Sequence, residues 1–156
     1  MKIENFTIQE YRILLAEEKK IKSIQPTLNQ LDETKYIRLL EYRVKLQNYL
    51  IFRNKSKYTL ALKNFLNKKL SLDDFKSTII KIDEKIQIEF NHLEQKNIPL
   101  SSLFFEDQFE EFSIFKSIID ICLRDHFEPD FKSHYLSEQI LYENFSSLKS
   151  KFNKYF

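Results

Sequence analysis

The stretch SLDDFKSTIIKIDEKIQIEFNHL, residues 71–93, decides the fold. Its apolar side chains Phe75, Ile79, Ile82, Ile86, Phe90 and Leu93 follow one another at steps of 4, 3, 4, 4 and 3 residues. A helix turns once every 3.6 residues, so these six lie on one stripe, whereas a half-buried strand would bury every second residue. Ser71 with Asp74 makes an S-x-x-D start signal, in which a short polar side chain accepts from backbone N–H groups that the first helical turn leaves unpaired. The helix is expected to end before Pro99, with Asn97 as its cap.

The same period recurs on both sides. Thr7 with Glu10 reads as a capping box ahead of a stripe of Ile8, Tyr11, Leu14, Leu15 and Ile21, and Pro26 stops that helix near Ile24. A second helix is expected after Asp32, with Tyr36, Leu39, Leu40, Val44 and Leu50 inward. Asn54 should end it in the left-handed conformation, the role glycine usually fills. Ser56 then opens a third helix carrying Leu62, Phe65 and Leu66, which ends at Asn67 or the Lys68-Lys69 pair. A fifth helix is expected from about Ser102 to Arg124 with a wide apolar face of Phe104, Phe105, Phe109, Phe112, Phe115, Ile118, Ile119 and Cys122. Pro129 interrupts, residues 126–136 form a surface loop, and Ser137 starts a last helix with Leu141, Phe145, Leu148 and Phe152 inward. The expectation is an all-α protein, an antiparallel bundle of about six helices, with residues 1–156 as a single helical domain. Residues 1–54 form a helical hairpin whose apolar stripes need cover, so the hairpin docks on a bundle of residues 55–156.

Composition narrows the function. The 156 residues are 42 % hydrophobic and 15 % aromatic, enough for a core, and glycine is absent. Without glycine there is no phosphate-cradling loop, no dinucleotide fingerprint and no G-x-S-x-G nucleophile elbow. The single cysteine, Cys122, cannot close an internal disulfide, which fits a reducing compartment. The opening residues Met1-Lys2-Ile3-Glu4-Asn5-Phe6 lack the apolar run of a signal peptide, and no stretch is long enough for a membrane span. Lysine outnumbers arginine 20 to 5, which reads as codon bias of an AT-rich plastid or bacterial genome. The expected location is cytoplasm or plastid stroma.

No chemistry-bearing constellation assembles. Cys122 and His126 are four residues apart and share a helix face, but a structural zinc site needs four ligands, and no CxxC or H-x-x-x-H is present. Glu89 and His92 make one E-x-x-H, where a di-metal carboxylate bundle needs two. No serine sits near a histidine in a hydrolase context. The reading is a protein that is not an enzyme, with no metal and no cofactor.

Charge is uneven. Residues 1–72 hold 15 Lys/Arg against 7 Asp/Glu, whereas residues 100–146 hold 3 against 10. Two candidate surfaces follow. The acidic one comprises Glu106, Asp107, Glu110 and Glu111 on the fifth helix, Asp125, Glu128 and Asp130 after it, and Glu138 on the last helix. The basic one comprises Lys35, Arg38, Arg43, Lys45, Arg53, Lys55 and Lys57, interleaved with Tyr36, Tyr42, Tyr49 and Tyr58. Cations neutralise phosphates and aromatic rings stack on unpaired bases, so this half is the alternative: an RNA- or ribosome-associated protein, or an adaptor for an acidic protein.

Residues 60–75, LALKNFLNKKLSLDDF, resemble the F-L-x-x-x-[IL]-S-x-x-x-F joint between two helices that opens the colicin D immunity family, the bacterial self-protective colicin-like immunity proteins. The run Cys122-Leu123-Arg124-Asp125-His126-Phe127-Glu128-Pro129-Asp130 is similar to that family's Pro-Asp connector. Tyr135-Leu136-Ser137-Glu138-Gln139-Ile140-Leu141 is similar to the acidic start of its last helix. The similarity covers about residues 58–150. It implies inhibition by binding: toxins of that class cut tRNA anticodon loops with a basic active site, and the immunity protein plugs that site with carboxylates in place of phosphates. The implied partner is a basic ribonuclease toxin, met by the acidic surface.

Overall fold

The computed structural model describes residues 6–24, 31–95 and 107–156. Of these, 86 % are helical, in six helices and two short 3-10 turns, with no strand among the described residues. The helices are α1 (Ile8–Ile24), α2 (Glu33–Arg53), α3 (Lys55–Leu66), α4 (Leu72–Gln95), α5 (Asp107–Phe127) and α6 (Glu138–Lys151). The fold is an all-α helical bundle. Helices α3 and α4 run antiparallel, since Tyr58 meets Asp83 and Phe65 stacks on Phe75 at 5.0 Å. Helices α4 and α5 do likewise, with Lys116 on Asp83 and Lys76 over the Phe127 ring. Helix α6 folds back along α5, bringing Phe152 against Phe115.

The helix starts follow their local chemistry. Asp32 caps α2 by accepting from the Lys35 N–H at 3.0 Å, and Ser71 accepts from Asp74 N–H at 3.1 Å ahead of α4. Ser137 caps α6 through the Ile140 N–H. Thr7 accepts from Glu10 N–H, but the reciprocal half of the capping box is absent. The Glu10 carboxylate instead binds Arg38 and Tyr42, and the Tyr42 hydroxyl accepts the Thr7 N–H at 2.8 Å.

Several boundaries differ from expectation. Asn54 is not left-handed (φ −97°); it both closes α2 and opens α3, so the third helix starts at Lys55 and not at Ser56. The left-handed residue is Lys68, at φ 57°. There the Lys69 N–H bonds Asn64 O and the Lys68 N–H bonds Phe65 O, the paired bonds of a Schellman cap. Helix α5 extends past Arg124 to Phe127, and the loop beyond contains a 3-10 turn, Lys132–His134. Pro26, Asn97, Pro99, Ser102, Phe104 and Phe105 lie outside the described residues.

One buried cluster runs through all six helices. Its centre is aromatic: Phe112 touches Phe52, Tyr58, Phe115 and Tyr155, while Phe145 meets Phe65 and Phe75. On α2 the expected stripe is partly rotated. Leu39 and Leu50 are buried, but Tyr36, Leu40 and Val44 face outward, and Tyr42, Leu46 and Ile51 take the inward positions. None of the described helices is long and apolar enough to cross a membrane.

Candidate functional site

Buried tyrosines organise the polar interior. Tyr11 on α1 donates to Glu94 on α4 at 2.6 Å, and Arg43 on α2 binds both Glu94 at 2.8 Å and Glu18 at 2.7 Å. Tyr42 and Arg38 share Glu10. Tyr58 donates to Asp83 at 2.6 Å, and Lys116, only 8 % exposed, holds Asp83 and Asp120 together. Each arrangement joins a tyrosine hydroxyl, a carboxylate and a cation across neighbouring helices, so that no member is buried without a partner.

Proton affinities follow these partners. Burial raises the Tyr11 and Tyr58 hydroxyls well above the usual tyrosine range, and the neighbouring carboxylates push the same way. The Arg38 guanidinium holds Glu10 below its ordinary value. Burial pushes Glu18 up, but Arg43 and Lys22 outweigh it and hold that carboxyl low as well. At Asp120 burial prevails over Lys116 and the carboxyl is raised. Burial also raises the Cys122 thiol, which therefore stays protonated at neutral pH.

These networks absorb most of the basic candidate surface. Arg38 is matched by Glu10 and Glu41, Arg43 by Glu18 and Glu94, Arg53 by Glu89, and Lys35 by Glu17. The ammonium groups of Lys45 and Lys55 lie over the Phe6 and Phe52 rings, and Lys57 donates to the Asn54 side chain. Tyr42 and Tyr58 are fully buried, so they cannot stack on a base; Tyr49 packs edge-on to Phe109, and only Tyr36 of the four is exposed.

The acidic candidates whose side chains are described do not form one face. Glu106 lies outside the described residues, and only the backbone of Asp107, the first residue of α5, is described. Glu110 and Glu111 sit in the first turns of α5, about 20 Å along the helix from Asp125. Glu110 is exposed, while Glu111 is bound by Lys154 and by the Tyr155 hydroxyl, so its charge is spent within the molecule. Asp125 pairs with Arg124 at 3.1 Å and is mostly covered. Glu128, Asp130 and Glu138 are exposed, and among the described residues their one ion pair is a loose 3.9 Å approach of Lys76 to Glu128.

What gathers at that end is a connector, residues 128–137, between α5 and α6. It is held at its base: Leu136 N–H donates to Asp125 O at 3.1 Å, and His126 Nδ1 lies 2.7 Å from Leu136 O. His126 packs on the Tyr135 ring, and Phe131 packs on His134. Between these ties Phe131 and Tyr135 stand 66 % and 52 % exposed on the same connector as the exposed Glu128 and Asp130, while Glu138, at the start of α6, lines a groove with Lys68 and Lys69. The sequence pointed to the acids and the Pro-Asp connector but not to the exposed aromatics, which carry no helical period to mark them. Cys122 belongs to the core and His126 to the connector's base, and among the described residues no group of three or more His, Cys, Asp or Glu is arranged to hold a metal ion.

No family model, curated protein or solved structure matches this chain.

Proposed function

We propose that this chain is a non-enzymatic binding protein that neutralises a basic, tRNA-cleaving nuclease by seating its acidic connector in the nuclease's cationic active site. The observation that carries the reading is the company of Glu128 and Asp130 with the exposed rings of Phe131 and Tyr135 on a loop tied at its base, with the exposed Glu138 at the start of the helix that follows. Carboxylates steer a cationic partner and fix its orientation, while aromatic rings supply the desolvated anchors that hold it. The ties at Asp125, His126 and Leu136 pre-order the loop, which lowers the entropy lost on association. The resemblance of residues 122–130 and 135–141 to the colicin D immunity family favours the same partner class. A protonated, unpaired Cys122 suits a reducing compartment, either cytoplasm or plastid stroma.

The test is capture from the native source by three forms of the chain: the wild type, Glu128→Lys with Asp130→Lys, and Lys55→Glu with Lys57→Glu. The wild type and the lysine variant should both retain a basic protein whose cleavage of tRNA is blocked when the chain is added back. The acid-reversed variant should retain none. Loss of the partner only in the lysine variant, or recovery of RNA in place of a protein, contradicts the reading and favours the basic half.

A further inference from the structure

A second surface lies on the α3–α4 hairpin. Leu60, Ala61, Leu70 and Ile82 floor an open groove of about 440 Å³. Leu60 is 58 % exposed there, an apolar side chain standing in water on a helix whose other apolar residues Leu62, Phe65 and Leu66 are buried. Lys57, Lys81 and Lys85 stand along the rim, and no acidic residue lines the groove. Among the described residues no carboxylate pairs with any of these three lysines. They differ in this from the arginines of α2, whose charges are met inside the molecule.

We infer that this groove docks an acidic amphipathic helix of a partner protein, with apolar side chains on the Leu60–Ile82 floor and carboxylates on Lys57, Lys81 and Lys85. Charge selects the acidic partner, because three ammonium groups without a carboxylate partner, Lys57 bonded only to the neutral Asn54 side chain, line a site with no acid in it. Shape selects a peptide side chain. A concave apolar floor takes up an anchor residue, and its length from Lys57 to Asn64 spans two helical turns, about 10 Å. No aromatic ring lines the groove, so it lacks the stacking platform that single-stranded nucleic acid uses. The inference is independent of the nuclease reading, which rests on different residues at the α5–α6 junction.

The experiment is a titration of the isotope-labelled chain, followed by amide chemical shifts. The probe is a synthetic peptide of about 14 residues, stapled as a helix, with Leu at i, i+3, i+4 and i+7, Glu at the positions flanking that stripe and Ala elsewhere. Shifts should concentrate in residues 57–64 and 78–85. Leu60→Asp and, separately, Lys81→Glu with Lys85→Glu should each weaken binding at least about tenfold. All three side chains are exposed, so these variants should keep the wild-type helical circular dichroism. A matching peptide with Lys in place of Glu should not bind. Absence of binding, shifts elsewhere, or equal affinity in the variants overturns the inference. So does tighter binding of oligouridylate or of phosphatidylserine vesicles at the same residues, or concentration-dependent self-association that shifts them without any peptide.

Discussion

At the scale of single residues, Lys68 occupies the one position among the described residues where the backbone asks for glycine. A side chain bearing Cβ in the left-handed region carries a cost that glycine escapes. Lys68→Gly should therefore raise the urea midpoint, by about 0.5–1 kcal/mol of stability with an unchanged slope. The opposite result is expected at Lys116. Replacing it with methionine fills the same space but leaves Asp83 and Asp120 facing each other without a cation. Lys116→Met should cost about 2–3 kcal/mol, discounted because both carboxylates are partly solvated. Acid sensitivity follows from Glu10 and Glu18, whose carboxyls are held below the usual 4.5 in the folded chain. Their contribution is complete above that value and is lost as pH falls through the lowered one. Asp120, raised by burial, works in the reverse sense, since its proton is held more tightly by the folded chain. Urea unfolding across this acid range should show stability falling with pH, and Glu18→Gln should flatten the fall.

At the scale of elements, hydrophobic period and caps were the legible part. Asp32, Ser71 and Ser137 start helices as their side chains predict, and the inward residues of α4 and α6 follow their spacing. The period misled on α2, where Tyr36, Leu40 and Val44 continue an apolar pattern that the packing does not use. There the inward face is chosen by Tyr42 and Arg43, whose polar tips reach Glu10, Glu18 and Glu94. A carboxylate on one helix meeting a tyrosine 83 residues away, as Glu94 meets Tyr11, leaves no trace in local spacing. Asn54 misled for a related reason: with a helix continuing directly beyond it, no chain reversal requires a left-handed residue. The cap of α6 bears on the proposed capture surface, because Ser137 fixes the end of the connector. Ser137→Ala should cost about 1 kcal/mol and loosen the loop, seen as faster amide exchange at residues 138–141 without change in α4.

At the scale of the whole molecule, the excess of cations in residues 1–72 does not make a uniformly basic half. Acids from α1 and α4 neutralise the arginines of α2, while Lys57 on α3, with Lys81 and Lys85 on α4, has no carboxylate partner among the described residues. The acidic excess likewise divides, with Glu110 and Glu111 at one end of α5 and the connector at the other. Counting charges along the chain could locate neither division, because both depend on which helices meet. If the connector is the capture surface, binding should weaken as salt rises and should be indifferent to the far end of α5.

Calorimetric titration of the captured partner tests this most directly, with wild type, Glu128→Lys/Asp130→Lys/Glu138→Lys, and Glu110→Lys/Glu111→Lys compared at equal ionic strength. Affinity should fall by about two orders of magnitude in the connector variant and stay near wild type in the α5 variant, and the unfolding temperature of the connector variant should remain close to that of the wild type. Undiminished affinity in the connector variant would contradict the proposed capture surface.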